Sequence, residues 1–473
     1  MLFTSANYFI FLAIVFFGYC LLARKRVPVW FLLASSYYFY ALWNPKFLGL
    51  VVLISTVDFL VAMGLGRTDQ RALRQLLVST SILIDAGVLF VFKYFNFFSA
   101  SLTELLAKAG WHAHAYVLRD LILPLGLSFI TFRSLSYVVD VYRKQLQPTT
   151  HYLDYLTFVA FFPSVIAGPI VRAGDLLPQF RSRPDITSEQ GNEAIFLIML
   201  GLIKKIAIAD FLGNNLVDRV FDQPQLYSSL ETLAAIYGYA VQIYCDFSGY
   251  SDIAIGSALL LGFKLPLNFV SPYRARDLRD FWRRWHISLS TWLFDYVYVS
   301  IGGLRKRRFN LYRNLVITFL IGGLWHGAAW TFVVWGGMHG LGLCATHWWS
   351  SFRKRTKSKS QPRWWSKVIG VFLTFHFVCL TWIVFRATTL DDAWQVLRRL
   401  GAMQFAMGNL SISILVVLGL AYLSHWLPGN ISTRTQKIWT WLPAPVQAVL
   451  ILSLAAGLYY VAGAEAQFIY GNF

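Results

Sequence analysis

The sequence predicts an all-α, polytopic transmembrane helical bundle. Three observations carry that expectation. Apolar residues make up 57% of the 473 positions and charged residues only 14%, too few to cover a water-soluble surface. Apolar runs long enough to cross a bilayer, at about 20 residues each, recur along the whole chain. The basic residues that give the net charge of +19 sit in short clusters between those runs, the pattern left by the positive-inside rule. No basic patch lies on a soluble domain of its own, which argues against nucleic acid as a partner and for membrane lipid.

The runs fall at 7–22, 29–43, 47–66, 76–98, 118–139, 154–171, 194–212, 230–263, 311–349, 366–385, 409–426 and 443–462. Some are long enough for two passes, so about 11–13 crossings or re-entrant segments are expected. The first run has no basic segment before it and no small-residue cleavage site after it, and is read as a retained span. Cys20, Cys245, Cys344 and Cys379 are scattered inside apolar stretches; they read as small buried hydrophobes, with no disulfide framework or metal knuckle. Arg24, Lys25 and Arg26 place the first loop in the cytoplasm. Arg67, Arg71 and Arg74, then Arg143 and Lys144, then the run from Arg353 to Lys367, and finally Arg434 and Lys437 continue the alternation. Both the N-terminus and the C-terminal tail are then expected on the outer face. No internal repeat is visible, which lowers a transporter reading. The whole of 1–473 is expected to be one integral-membrane domain, with a tail at 463–473.

Three segments carry side chains that are costly at membrane depth. In 272–303, Leu278, Phe281, Trp282, Trp285, Leu289 and Trp292 fall on one stripe at about 100° per residue, with Arg279, Arg283 and Arg284 elsewhere. This reads as an amphipathic helix at a membrane interface or the lip of a cavity. His286, about 80° from the stripe's centre, is either a functional group or a polar flank residue. In 322–342, Gly323 and Gly327 are four apart, as are Gly336 and Gly340, a spacing that lets helices approach closely in lipid. His326 lies beside Trp325 in this segment and is the stronger functional candidate, the alternative being a histidine hydrogen-bonded across a helix interface. His339 lies thirteen residues on, about 140° around an ideal helix, so a break between the two or a supporting role for His339 is expected. In 244–252, Asp246, Ser248, Tyr250, Ser251 and Asp252 interrupt an apolar run. Two embedded carboxylates need partners, for which histidine or arginine are the natural choices; a polar break that packs two spans is the alternative. No set of residues has metal-ligand spacing, so no metal is expected. The chain ends in Phe468-Ile-Tyr470-Gly-Asn-Phe473, a tail either frayed or folded back into a cavity.

These segments resemble the membrane-bound O-acyltransferase family, in its bacterial alginate- and peptidoglycan-type O-acetyltransferase branch. The resemblance rests on FWRRWHISLSTWL at 281–293, GGLWHGAAWTFVVWG at 322–336 with MHG at 338–340, and DFSGYSDIAIG at 246–256. It is supported by SFITFRSLSYVVDVYR at 128–143, AGPIVRAGDLLPQ at 167–179 and WIVFRATTLDDA at 382–393. Phe294 departs from the pattern, where many relatives carry arginine. The resemblance covers nearly the whole chain, with a family core at about 120–345. It implies a bundle with a central tunnel or funnel, where a cytoplasmic acyl thioester such as acetyl-CoA meets an extracytoplasmic acceptor. No tightly bound cofactor is implied. The family's catalytic histidine falls on His326 and its second histidine on His286. Arg283 and Arg284 are expected to meet the donor's phosphates, with Trp325 and Ser290 beside them and Asp246, Tyr250, Asp252 and His339 in support. The tail resembles a motif whose tyrosine, here Tyr470, is proposed to receive the acyl group before an extracytoplasmic acetyltransferase partner passes it to a polysaccharide. The implied location is the bacterial inner membrane. The alternatives are D-alanyl transfer from a carrier protein to teichoic acid, or a transporter or channel with an intramembrane histidine.

Overall fold

The computed structural model describes residues 3–23, 26–111, 114–118, 123–182, 186–303, 308–355, 364–461 and 469. Among the described residues there are helices and no strands, as the apolar runs predict. The chain divides into two compact units. One comprises Met1–Ile186, Ser257–Leu265 and Gly327–Ala329; the other comprises Thr187–Gly256, Pro266–His326 and Trp330–Phe473.

The first unit is built on α1 (Ala6–Leu22), α2 (Val29–Ala41), α3 (Lys46–Arg67), α4 (Arg71–Lys108), α5 (Leu127–Tyr142) and α6 (Tyr152–Ala160). α3 and α4 are long and apolar enough to cross a membrane, and α1 is a shorter apolar helix. Polar side chains hold the unit from inside. Arg74 donates to the carbonyls of Leu65 and Thr68 at the end of α3, and to those of Val141 and Tyr142 at the end of α5. A cation near C-terminal carbonyls satisfies acceptors that the helices themselves leave open. Asp58 accepts from Ser81 and Ser134, and Ser134 accepts from the Tyr155 hydroxyl. The run 154–171 is not one span. It is helical only to Ala160, and 161–171 is irregular yet buried. Irregular backbone at membrane depth survives only where protein groups satisfy it, and the buried Arg133 donates to the carbonyls of Val159 and Ser164.

The second unit contains α7 (Ser188–Leu202), α8 (Ser229–Leu260), α9 (Leu278–Trp282), α10 (Ile287–Trp292), α11 (Arg308–His326), α12 (Trp330–Arg355), α13 (Trp364–Arg386), α14 (Leu390–Gly401), α15 (Ile412–Trp426), α16 (Gly429–Trp441) and α17 (Ala444–Val461). α13 and α17 are long and apolar enough to span. The run 230–263 corresponds to a single helix, α8, of 32 residues, about 48 Å long by helical rise. By contrast, the run 311–349 is two helices, α11 and α12. They are joined at residues 327–329, so the expected break between His326 and His339 is present.

Two helix crossings are set by glycine. A methyl group on Gly323 would overlap the Phe332 carbonyl oxygen, and one on Gly336 the Phe319 carbonyl oxygen. The two glycines therefore face each other across the α11–α12 crossing, with Gly340 against Val316 further along. α8 meets α7 in the same way. A methyl on Gly249 would lie 2.7 Å from the Gly201 carbonyl oxygen, and one on Gly201 2.6 Å from that of Gly249. Such contacts are the means by which helix backbones approach in lipid, where packing replaces the hydrophobic drive.

Gly323→Ala is expected to destabilise the protein by about 1–3 kcal/mol through overpacking at the crossing. Gly49→Ala, which meets nothing within 4 Å, is expected to be neutral or stabilising by up to about 1 kcal/mol. Thermal unfolding midpoints in one detergent compare them; equal midpoints would contradict the close crossing.

Candidate active site

His326 is the last residue of α11, held in an aromatic box. Its ring lies 5.0 Å from Trp325, 4.9 Å edge-on from Trp335 and 5.3 Å edge-on from Phe385. The imidazole is buried. The helix ends here because 327–329 leave the helical path before α12 begins at Trp330. The site histidine thus sits at a helix terminus, packed on three sides by rings.

His339 lies one layer further along α12, and both of its nitrogens are engaged. Trp282 Nε1 donates to His339 Nδ1 at 3.3 Å, and His339 Nε2 lies 3.0 Å from Thr381 Oγ1. Indole nitrogen is a donor only, so Nδ1 accepts and Nε2 carries the proton that goes to Thr381. Thr381 donates its own proton to the Val378 carbonyl. This network fixes one neutral tautomer and leaves no nitrogen of His339 for proton abstraction. Trp335 stands between the two histidines, 4.8 Å from the His339 ring.

The Arg–Trp segment differs from its expectation. It is not one amphipathic helix. α9 stops at Trp282, and His286 adopts a left-handed conformation with φ +41° before α10 begins. Such a φ is strained for a residue with a side chain and persists only where neighbours enforce it. Here a preceding extended strap does so: Val270 N donates to the Arg284 carbonyl, and Ile287 N to the Asn268 carbonyl, each at 2.9 Å. The Asn268 side chain accepts from Ser288 N and Oγ and donates to Ser251. The stripe residues Leu278, Phe281, Trp282, Trp285, Leu289 and Trp292 are all buried. His286 is turned inward as well. Its ring meets Phe247 edge-on at 4.5 Å and Trp325 at 5.9 Å. Trp325 is therefore a ring that neighbours both His286 and His326.

Arg284 is held by Asp280 at 2.7 Å and by the Val270 carbonyl. Arg283 is exposed. Ser290 donates to the Trp285 carbonyl at 3.1 Å. The two embedded carboxylates have lysine partners, where histidine or arginine was expected. Lys204 pairs with Asp252 at 2.6 Å, and Lys205 pairs with both Asp246 and Asp210 at 2.6 Å. Lys205 also lies over the Tyr250 ring. The lysines reach inward because residues 203–210 form π-helical turns, which bring positions five apart onto one face, and because the Gly201–Gly249 contact closes the gap. Two adjacent lysines inside the apolar run LIKKIAIAD were the overlooked sequence signal. Asn268, Trp335 and Phe385 were overlooked as well; only the fold brings them to the histidine segments. Tyr470 lies outside the described residues.

The sequence profile of the MBOAT, membrane-bound O-acyltransferase family matches residues 29–387. The chain belongs to this family. It is 39% identical over 411 residues to the probable alginate O-acetylase of Azotobacter vinelandii, covering 86% of this chain and 79% of that protein. Identity to the peptidoglycan O-acetyltransferase of Helicobacter pylori is 38% over 421 residues, covering 82% and 77%. The teichoic acid D-alanyltransferase of Streptococcus thermophilus matches at 32% over 292 residues, covering 57% and 69%. The protein is a multi-pass membrane-bound O-acyltransferase.

His339→Ala is expected to cost about 2–4 kcal/mol, because it opens a cavity, strands the Trp282 N–H donor and takes away the donor that Thr381 accepts from. A melt in detergent tests this, and an unchanged midpoint would mean that His339 does not hold this network.

Proposed function

We propose that this acyltransferase moves an acetyl group from cytoplasmic acetyl-CoA to hydroxyls of an extracytoplasmic polysaccharide, across the bacterial cytoplasmic membrane. The single observation that carries the reading is His326, buried in an aromatic box at the end of α11. The acyl group is inferred from the relatives. The alignments to proteins named for alginate and peptidoglycan O-acetylation span over four-fifths of the chain, while the D-alanyltransferase alignment spans 57%.

In the proposed chemistry, His326 takes the proton of the attacking hydroxyl as its oxygen bonds to the thioester carbonyl carbon. The carbon–sulfur bond breaks, and the proton passes to the departing thiolate, giving an ester and free CoA thiol. Positioned base catalysis of this kind is worth roughly 10²–10⁴-fold. His286 orients the donor through Trp325, and Arg283, exposed and near the break, meets its phosphates. The first hydroxyl is that of Tyr470, on a tail that the positive-inside count puts on the outer face. Its aryl ester is then attacked by a sugar hydroxyl with the help of an extracytoplasmic acetyltransferase partner, which restores the phenol. Splitting the transfer in this way replaces one hard step with two easier ones.

Purified protein incubated with labelled acetyl-CoA tests the reading by mass spectrometry of the C-terminal peptide. Acetyl on Tyr470 is expected, and none in Tyr470→Phe. Labelling from a D-alanyl carrier but not from acetyl-CoA would overturn the donor. Normal polymer acetylation by Tyr470→Phe would overturn the relay.

A further inference from the structure

An acyl-tyrosine relay needs its tail held in place, and a terminal segment ordinarily frays. Here one backbone group of the tail is seated on an interior ion pair. The N–H of Ile469 donates to Asp246 Oδ2 at 3.0 Å. The other oxygen of that carboxylate takes Lys205 Nζ at 2.6 Å, and the two side chains are 2% and 3% exposed. Asp210 holds Lys205 from the other side. Contact with a cation keeps Asp246 an ionised acceptor, and a backbone N–H bonded to a carboxylate is among the stronger hydrogen bonds. The location matters as well. Phe247, next to Asp246 on α8, is the residue that packs against His286. The tail backbone thus meets α8 one residue, or about 1.5 Å of helical rise, from the histidine layer.

We propose that the Lys205–Asp246 pair is a latch for the chain at Ile469: Asp246 grips the backbone N–H of Ile469, the residue that precedes Tyr470 in the sequence. Asp246 is a positioning residue, and Lys205 keeps it charged and aimed. The purpose of the latch rests on the relay reading, but its geometry does not.

The test uses the full chain in nanodiscs, with the four cysteines replaced and Ile469→Cys as reporter for a hydrophilic maleimide. Slow labelling is expected, rising about tenfold or more when Asp246→Ala removes the acceptor, as befits loss of a charge-assisted hydrogen bond. Because Asp246→Ala strands Lys205 and risks unfolding, Asp246→Ala with Lys205→Met is run beside it, and the same rise is expected. Equal labelling with and without Asp246 overturns the latch. In the otherwise native chain, Ile469→Pro deletes the N–H and also fixes φ, and is expected to lower acetyl transfer about tenfold, while Ile469→Val, which keeps the N–H, retains transfer. Equal transfer by the two also overturns the latch where Tyr470→Phe is inactive. The two readings fail separately. If Tyr470→Phe acetylates polymer normally while the reporter thiol stays protected by Asp246, the relay falls and the latch stands. If Tyr470→Phe is inactive and the reporter thiol labels freely, the reverse holds.

Discussion

The close approach of α11 and α12 at Gly323 and Gly336 is the constraint on which the site depends. With any side chain at either position the backbones would separate, because the space a methyl would need is filled by a carbonyl oxygen of the facing helix. Held this close, the end of α11 brings His326 against Trp335 of α12, and Trp335 in turn contacts His339. In a bilayer the lipid tails are as apolar as the side chains, so such contact energy has to come from packing and from polar partners. The glycine contact supplies the first and the Trp282–His339–Thr381 chain the second.

The three histidines divide the work by what surrounds them. His339 is fixed by two hydrogen bonds and acts as a structural pin. His286 owes its position to a strained φ that the Asn268 strap enforces, and strain of this kind collects at functional sites. His326 sits at a helix end among rings. Around them, Lys204–Asp252 and Lys205–Asp246 tie α8 to the π-helical turns after α7. Buried ion pairs are poor sources of net stability, since desolvation offsets their attraction, but breaking one is costly. Their contribution is placement, and in Asp246 placement extends to the tail.

The helical membrane class was legible because composition and span length leave few alternatives, and the family because its motifs are contiguous. Helical geometry alone called for either a break between His326 and His339 or a supporting role for His339, and the break is present. The break at His286 was not legible. It is imposed by Asn268, which lies eighteen residues upstream in a segment without periodicity, so the stripe from Leu278 to Trp292 reads as one helix when taken by itself. The lysine partners of Asp246 and Asp252 were visible as letters but not as partners, because π-helical turns shift which positions share a face. The grip on Ile469 uses a backbone N–H, which every residue but proline carries and no sequence pattern reveals.

The central claim is that His326 performs the proton transfer. Thioester turnover by purified His326→Gln in nanodiscs, measured beside its unfolding midpoint and its KM for acetyl-CoA, tests it most directly. The account predicts a fall of roughly 10²–10⁴-fold in turnover at an unchanged midpoint and KM. Turnover within a few-fold of the parent, at an unchanged midpoint, would contradict it.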